Sequence, residues 1–200
     1  MSSCIARTRF VVESPTIAAE LTAAERSALL ALARCAIEAA LRGSAAPPIP
    51  DLPAARLPRG AFVSLHASDG DLRGCIGHVR SDRPLGEVIR CVAVSAARSD
   101  PRFAPVTIDE LAEVRIEISV LSELVPLDPP DRCGLVIGRD GVLVRRERVH
   151  AVLLPQVATE QGFEAQAFLN AACQKAGLPA QSWREPATEV FTFTADVFVE

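Results

Sequence analysis

Several residue types are scarce in this 200-residue chain, and each scarcity excludes a class of protein. It has no tyrosine, one tryptophan and three histidines, and aromatic residues make up 4%. A single strand of nucleic acid therefore finds few rings to stack on. The net charge of −4 and the pI of about 5.5 also lack the basic excess of a nucleic-acid-binding domain. We therefore do not expect nucleic acid as a partner.

Long apolar runs are absent as well. The longest candidate, residues 28–41, is interrupted by Arg34 and Glu38, whereas a membrane helix needs roughly 20 apolar residues. The first fifteen residues lack the apolar core of a signal peptide. We therefore expect a cytoplasmic protein with no membrane segment.

Motifs for metals and cofactors are missing. None of the six cysteines forms a C-x-x-C pair, and the three histidines show no paired spacing. No Walker or Rossmann glycine pattern occurs either. We expect no metal, no cofactor and free thiols, most of them small core residues. The cysteines are Cys4, Cys35, Cys75, Cys91, Cys133 and Cys173.

What is present fits one globular domain over residues 1–200. Hydrophobic residues make up 49% and charged residues 23%, which is ordinary for such a domain. Residues 1–20 form an N-terminal segment in which Phe10 to Val12 fits a short strand. The capping-box pattern from Thr22 to Glu25 predicts a helix over 22–42. The five prolines within 44–60 predict an extended connector.

The body, residues 61–200, repeats the order hairpin, helix, strand. The halves span about 61–122 and 133–200, which predicts an α+β fold with a largely antiparallel sheet. The first half is predicted to contain strands 62–67 and 72–79 around Asp69-Gly70, a helix from Pro84, a capped turn at 107–110 and strand 114–120. The second is predicted to contain strands 135–138 and 142–144 around a turn at Asp140-Gly141, strand 149–154, helix 166–176 and strand 190–199.

The first hairpin holds the candidate site. If Asp69-Gly70 is a two-residue turn, His66 faces Arg73 and Ser64 faces Cys75. Because strand side chains alternate, these four lie together on the face opposite the apolar residues.

The chemistry of that face centres on a thiol. Arg73 would stabilise the thiolate of Cys75, and Gly74 and Gly77 would let a ligand approach the backbone. The common alternative is that Cys75 is a small buried hydrophobe.

The stretch Leu72-Arg-Gly-Cys-Ile-Gly77 resembles the signature of the AMMECR1 family. Further blocks extend the resemblance over roughly residues 20–200. They are Gly60–Leu65, Asp100–Phe103, Ile118–Leu121, Leu153–Val157, Cys173–Leu178, Trp183 and the closing Phe198-Val-Glu200. The resemblance implies two related halves sharing one curved, barrel-like sheet. Prokaryotic members are called AmmeMemoRadiSam system protein A, which implies a Memo-like protein and a radical SAM protein as partners.

The same resemblance points to further residues. Gln156 and Glu160 follow a predicted strand at a strand-to-helix turn, where function is frequent. Glu160 would be an acid or base, and Gln156 a ligand-binding residue. Asp100 and Arg102 either bind ligand or form an ion pair that fixes their loop. Cys173 is expected to pack in the core.

Three functions compete, since the family implies no settled reaction. The first is an enzyme with Cys75 as nucleophile or redox thiol, assisted by Arg73 and Glu160 across a cleft. The second is a non-catalytic subunit that binds a small molecule, a peptide or the Memo-like partner. The third is RNA or nucleotide modification through a basic patch formed by Arg73, Arg80, Arg83, Arg90, Arg98 and Arg102.

Overall fold

A computed structural model describes residues 21–128 and 134–200. The strand predicted at Phe10 to Val12, Cys4 and Cys133 lie outside these ranges. The helices are α1 Ala23–Arg42, α2 Leu85–Arg98, α3 Ile108–Leu111, α4 Pro155–Glu160 and α5 Ala165–Lys175. The strands are β1 Ala61–His66, β2 Leu72–His78, β3 Arg115–Leu121, β4 Val125–Pro126, β5 Asp140–Arg146, β6 Val149–Leu153 and β7 Glu189–Val199. None of the described helices is long and apolar enough to cross a membrane.

The predicted α+β fold with a curved, largely antiparallel sheet is confirmed. The strands form one sheet in the order β2-β1-β3-β7-β5-β6, and β4 pairs with β7. Every strand pair is antiparallel. The order β2-β1-β3 in the first half is matched by β6-β5-β7 in the second, so the repeated order of elements reflects a repeated topology.

Strand β7 joins the two halves. Of its 11 residues, 195–199 pair with β3 and 189–194 pair with β5, while β4 pairs with residues 191–192. The order β2-β1-β3-β7-β5-β6 ends on the edge strands β2 and β6, which belong to different halves.

The helices cover one face of this sheet. Phe198 packs in the core beneath α1 and α2, and Val190 packs in the core beneath α4 and α5. Both are even-numbered residues of one uninterrupted strand, so both helical layers lie on the same side. The opposite face carries Ser119, Leu121 and Phe193, which are at most 1% exposed. The inner face of the sheet is therefore buried at these positions as well.

Capping explains where the first helix begins and ends. The side chain of Thr22 accepts the N–H of Glu25, and the Glu25 carboxylate accepts the N–H of Thr22 at 2.9 Å. Gly43 ends the helix in the left-handed region at φ 67°. The predicted helix over 22–42 is therefore confirmed.

The strand predicted at 135–138 and the turn predicted at Asp140-Gly141 are both wrong. Residues 135–138 form no strand, since 137–139 lie in a turn, and Asp140 and Gly141 are the first residues of β5. Gly141 is needed there because a Cβ would lie 2.4 Å from the ring of Phe193 on the neighbouring strand. The real β5–β6 turn contains Glu147 at φ 54°, a position without the glycine or asparagine that marks such turns.

Candidate functional site

Cys75 lies on the edge strand β2, opposite Ser64 of β1 as predicted. The Ser64 hydroxyl donates a hydrogen bond to the Cys75 Sγ at 3.2 Å. Ser64 is buried and Cys75 half-buried. Because Ile76 packs towards α2, Cys75 points to the inner face of the sheet.

The predicted pairing of His66 with Arg73 is wrong. The turn has three residues, 68–70, since the N–H of Ala67 bonds to the carbonyl of Asp71. His66 therefore pairs with Leu72, and a bulge at Arg73 restores the register before Cys75.

The loop after α2 holds the Cys75 backbone from outside the sheet. The N–H of Cys75 donates to Asp100 Oδ2 at 2.8 Å, and its carbonyl accepts from Arg102 Nη2 at 3.3 Å. Asp100 and Arg102 form a bidentate ion pair at 2.7 and 3.0 Å, and the Asp100 side chain is 2% exposed. Hydrogen bonds from the Arg102 side chain hold the pKa of Asp100 far below its usual range. The pair fixes the loop, as one of the two predicted alternatives required.

The Arg73 side chain makes its contacts with α3 and the loop before it. Its guanidinium forms a bidentate ion pair with Glu110 and donates to the carbonyl of Ala104 at 2.8 Å. Its side chain is 18% exposed. These contacts tie α3 and the preceding loop to β2. The cation that touches Cys75 is therefore Arg102, and the predicted thiolate-stabilising role of Arg73 gains no support from its contacts.

The two glycines of the signature are required by packing. A Cβ at Gly74 would lie 2.3 Å from the Ala96 carbonyl oxygen of α2. A Cβ at Gly77 would lie 2.3 Å from the ring of Phe62. The close approach expected of a ligand is thus made by the protein itself.

A residue that the sequence analysis did not select completes the site from the second half. Lys175, the last residue of α5, donates from Nζ to the carbonyl of Val152 on the edge strand β6 at 2.9 Å. Partial desolvation lowers the pKa of its ammonium, although the residue as a whole is exposed. The Arg102 guanidinium lowers it further and Cys75 opposes the shift, so the three groups are within electrostatic range.

A signal for Lys175 exists in the composition. The chain contains 20 arginines and one lysine, which is Lys175. Every other position that carries lysine or arginine is an arginine, and unlike lysine an arginine cannot lose its proton in a protein. The one lysine of the chain, whose side chain can lose its proton, thus lies within electrostatic range of the signature cysteine.

The other predicted site residues do not join Cys75. Glu160 is exposed at the end of α4, and no hydrogen bond or ion pair within 21–128 and 134–200 links it to Cys75. Gln156 lines a cavity on a different part of the sheet. His66 ends β1 with a buried Nε2 that lacks a hydrogen-bond partner.

The remaining described cysteines differ in burial. Cys173 packs in the second core with its side chain fully buried, as predicted, and burial raises the pKa of its thiol. Cys35 and Cys91 are exposed, so the expectation that most cysteines lie in the core is wrong for them. Among the described residues, no group of three or more His, Cys, Asp or Glu side chains could hold a metal ion.

The arginines of the proposed basic patch mostly have partners within the chain. Besides Arg73 and Arg102, Arg83 pairs with Glu87, while Arg90 and Arg98 donate to backbone carbonyls. Only Arg80 of the six lacks a hydrogen-bond or ion-pair partner among the described residues. RNA modification consequently gains no support.

Comparison with known proteins places the chain in a family. The AMMECR1 family model matches residues 30–198. A protein of Methanothermobacter thermautotrophicus is 44% identical, over 91% of this chain and 97% of its own. A protein of Thermococcus gammatolerans is 40% identical, over 86% and 88%. The crystal structure of an uncharacterized protein from Pyrococcus horikoshii, 36% identical, superimposes with a TM-score of 0.81 over 86% of this chain and 89% of that one. The chain belongs to the AMMECR1 family.

Proposed function

We propose that this AMMECR1 protein is an enzyme in which Cys75 is the nucleophile and Lys175 accepts its proton. One observation carries the proposal: the sole lysine of the chain, with its pKa lowered, lies in electrostatic range of the signature thiol. A lowered pKa makes the loss of the ammonium proton easier than for an ordinary lysine, and a neutral amine can take a proton from a thiol.

The surrounding contacts fit this role. The Ser64 hydroxyl orients the sulfur, and Asp100 and Arg102 fix the backbone that carries it. Asp100 and Arg102 bond to the Cys75 backbone and Lys175 lies in electrostatic range, so two cations and one carboxylate give this part of the chain an excess of positive charge. Such surroundings favour a substrate that is anionic or that develops negative charge as the sulfur attacks.

The test is the alkylation rate of each thiol by iodoacetamide as a function of pH, assigned by mass spectrometry. Cys35 and Cys91 are exposed internal references, and Cys75→Ser confirms the assignment. Near neutral pH we expect Lys175→Met and Lys175→Arg each to slow Cys75 by about tenfold, while the reference thiols keep their rates.

The two Lys175 variants separate the possible mechanisms. If Lys175→Arg keeps the original rate and Lys175→Met does not, a fixed positive charge suffices and proton acceptance is refuted. If Cys75 of the unaltered protein reacts no faster than Cys35 and Cys91, the nucleophile proposal itself fails.

A second candidate is a non-catalytic subunit that binds the Memo-like and radical SAM proteins. Two observations favour it. Ser64 is the one side chain of the described residues that hydrogen-bonds to the Cys75 sulfur, and Gly74 has a packing role. The purified proteins should then co-elute, and Cys75→Ser should not weaken the complex. Bulky substitutions at Gly74 are unsuitable for this test because the side chain would collide with α2.

A further inference from the structure

A second site lies away from Cys75, between the helical layers. A cavity of about 600 Å³ opens over the central strand β7, beside the first turn of α4. This volume is within the range of small-molecule sites. Its lining is mainly apolar and includes Val120, Ile137, Pro155, Gln156, Ala195 and Val197. None of the residues that hold Cys75 lines it.

The charged groups at this cavity are already neutralised by the protein. Arg139 forms a bidentate ion pair with Asp140 at 2.7 and 2.8 Å. Asp196 pairs with Arg26 at 2.9 Å and accepts the N–H of Leu21. An ionic ligand would find no unpaired charge of opposite sign, so the cavity suits an uncharged molecule.

Two hydroxyl groups at the cavity, those of Ser122 and Thr159, are also satisfied. Ser122 Oγ donates to the carbonyl of Glu123 at 3.0 Å and accepts the N–H of Thr194 at 2.9 Å. Thr159 Oγ1 donates to the carbonyl of Gln156 at 2.8 Å.

The amide of Gln156, unlike the groups above, is unpaired. Its Oε1 is buried without a hydrogen-bond partner, and no described side chain or backbone group bonds to its Nε2. Leaving a buried amide oxygen unpaired is destabilising, and such groups are rare in native proteins. Oxygen and nitrogen of an amide are assigned from their surroundings, so a flipped amide would be unpaired as well. The fold gains nothing from glutamine here, whereas a ligand could use both its donor and its acceptor.

We propose that this cavity binds an uncharged, mainly apolar small molecule that presents a carboxamide or lactam edge to Gln156. Such an edge offers one donor and one acceptor side by side, which complements the side-chain amide. The apolar walls would bury the rest of the molecule. This site does not depend on the chemistry of Cys75.

The probe pair is benzamide and acetophenone, which have nearly the same shape but differ in the N–H donor. Binding to the full chain is followed by two-dimensional NMR, reading the amide signals of Gln156 and Val197. We expect benzamide to bind with a millimolar Kd and acetophenone about tenfold more weakly. Gln156→Leu should remove that difference by weakening benzamide, while Gln174→Leu, at an exposed position on α5, should leave it intact.

Thermal unfolding of the same variants gives an independent readout. Because the Gln156 amide has no partner, Gln156→Leu should keep or raise the Tm. A clear fall in Tm would mean that the amide serves the fold, and the proposal would be overturned. Equal binding of the two probes, binding of neither at millimolar concentration, or unchanged benzamide binding by Gln156→Leu would overturn it too.

Discussion

Each half of the described chain buries an aspartate, and similar contacts hold both. The two aspartates differ in which backbone segment they hold. Asp100 in the first half and Asp140 in the second are each 2% exposed at the side chain. Each pairs with an arginine that is about half exposed, Arg102 at 54% and Arg139 at 48%. Each also accepts a backbone N–H at 2.8 Å, and Asp100 accepts a second one, from Arg102, at 3.1 Å.

The difference lies in which backbone is held. Asp140 accepts from Val136 and thus closes a turn of its own strand, which is a local contact. Asp100 accepts from Cys75, 25 residues away on the edge strand β2. A buried aspartate paired with an arginine therefore stabilises both halves, and in the first half it also positions the signature cysteine. The two aspartates thus differ in which part of the chain they hold rather than in the kind of contact they make.

Replacing either aspartate should give the largest loss of stability. Asp100→Ala and Asp140→Ala each leave an N–H unpaired and an arginine without its partner, so we expect each to lower the free energy of unfolding by about 3 kcal/mol. Urea unfolding measures this. The alkylation rate of Cys75 should change several-fold only in Asp100→Ala. Equal changes in both variants would show that Asp100 has no special relation to the thiol.

Acid should weaken the first half through Asp100. Its pKa is lower in the folded chain than in the unfolded chain, so the folded state favours the carboxylate. The stabilisation is therefore complete above the ordinary pKa, near 4, and is lost as the pH falls towards the folded value. Between about pH 7 and pH 3 the unaltered protein should lose about 1 kcal/mol that Asp100→Asn does not lose. Parallel pH profiles of the two proteins would contradict this.

The sequence predicts most of the fold because its periodicities agree with the packing. Alternation in β3 and the capping box of α1 each identify their element, and Asp69-Gly70 marks a hairpin. The register at Cys75 is correct although the turn has three residues rather than two, because the bulge at Arg73 compensates. The wrong turn length and the overlooked bulge are two errors that cancel each other. Turn and alternation rules alone could therefore not have established this register.

The site is less predictable because its contacts come from distant parts of the chain. Nothing near Cys75 in the sequence indicates that Arg102, rather than Arg73, touches its backbone. Lys175 is 100 residues away in sequence, at the end of α5, and comes within electrostatic range of Cys75 only in the folded chain. In the second half, Asp140-Gly141 has turn chemistry, but Asp140 is buried by an ion pair and Gly141 is required by Phe193.

Replacing Arg102 or Arg139, the half-exposed partners of the two aspartates, should give the smallest loss of stability. It should also show most clearly how the two halves differ. Arg102→Gln and Arg139→Gln each remove one half-exposed cation and keep a hydrogen-bond donor, so water can solvate the open side of the aspartate. We expect each to lower the free energy of unfolding by about 1 kcal/mol, measured in urea. Arg139→Gln should leave the alkylation of Cys75 unchanged. Arg102→Gln also weakens the hold on the Cys75 carbonyl and removes a cation from the thiol, so the rate should fall about threefold. If both variants leave that rate unchanged, Arg102 belongs to the loop alone, and Lys175 is the cation that remains beside the thiol.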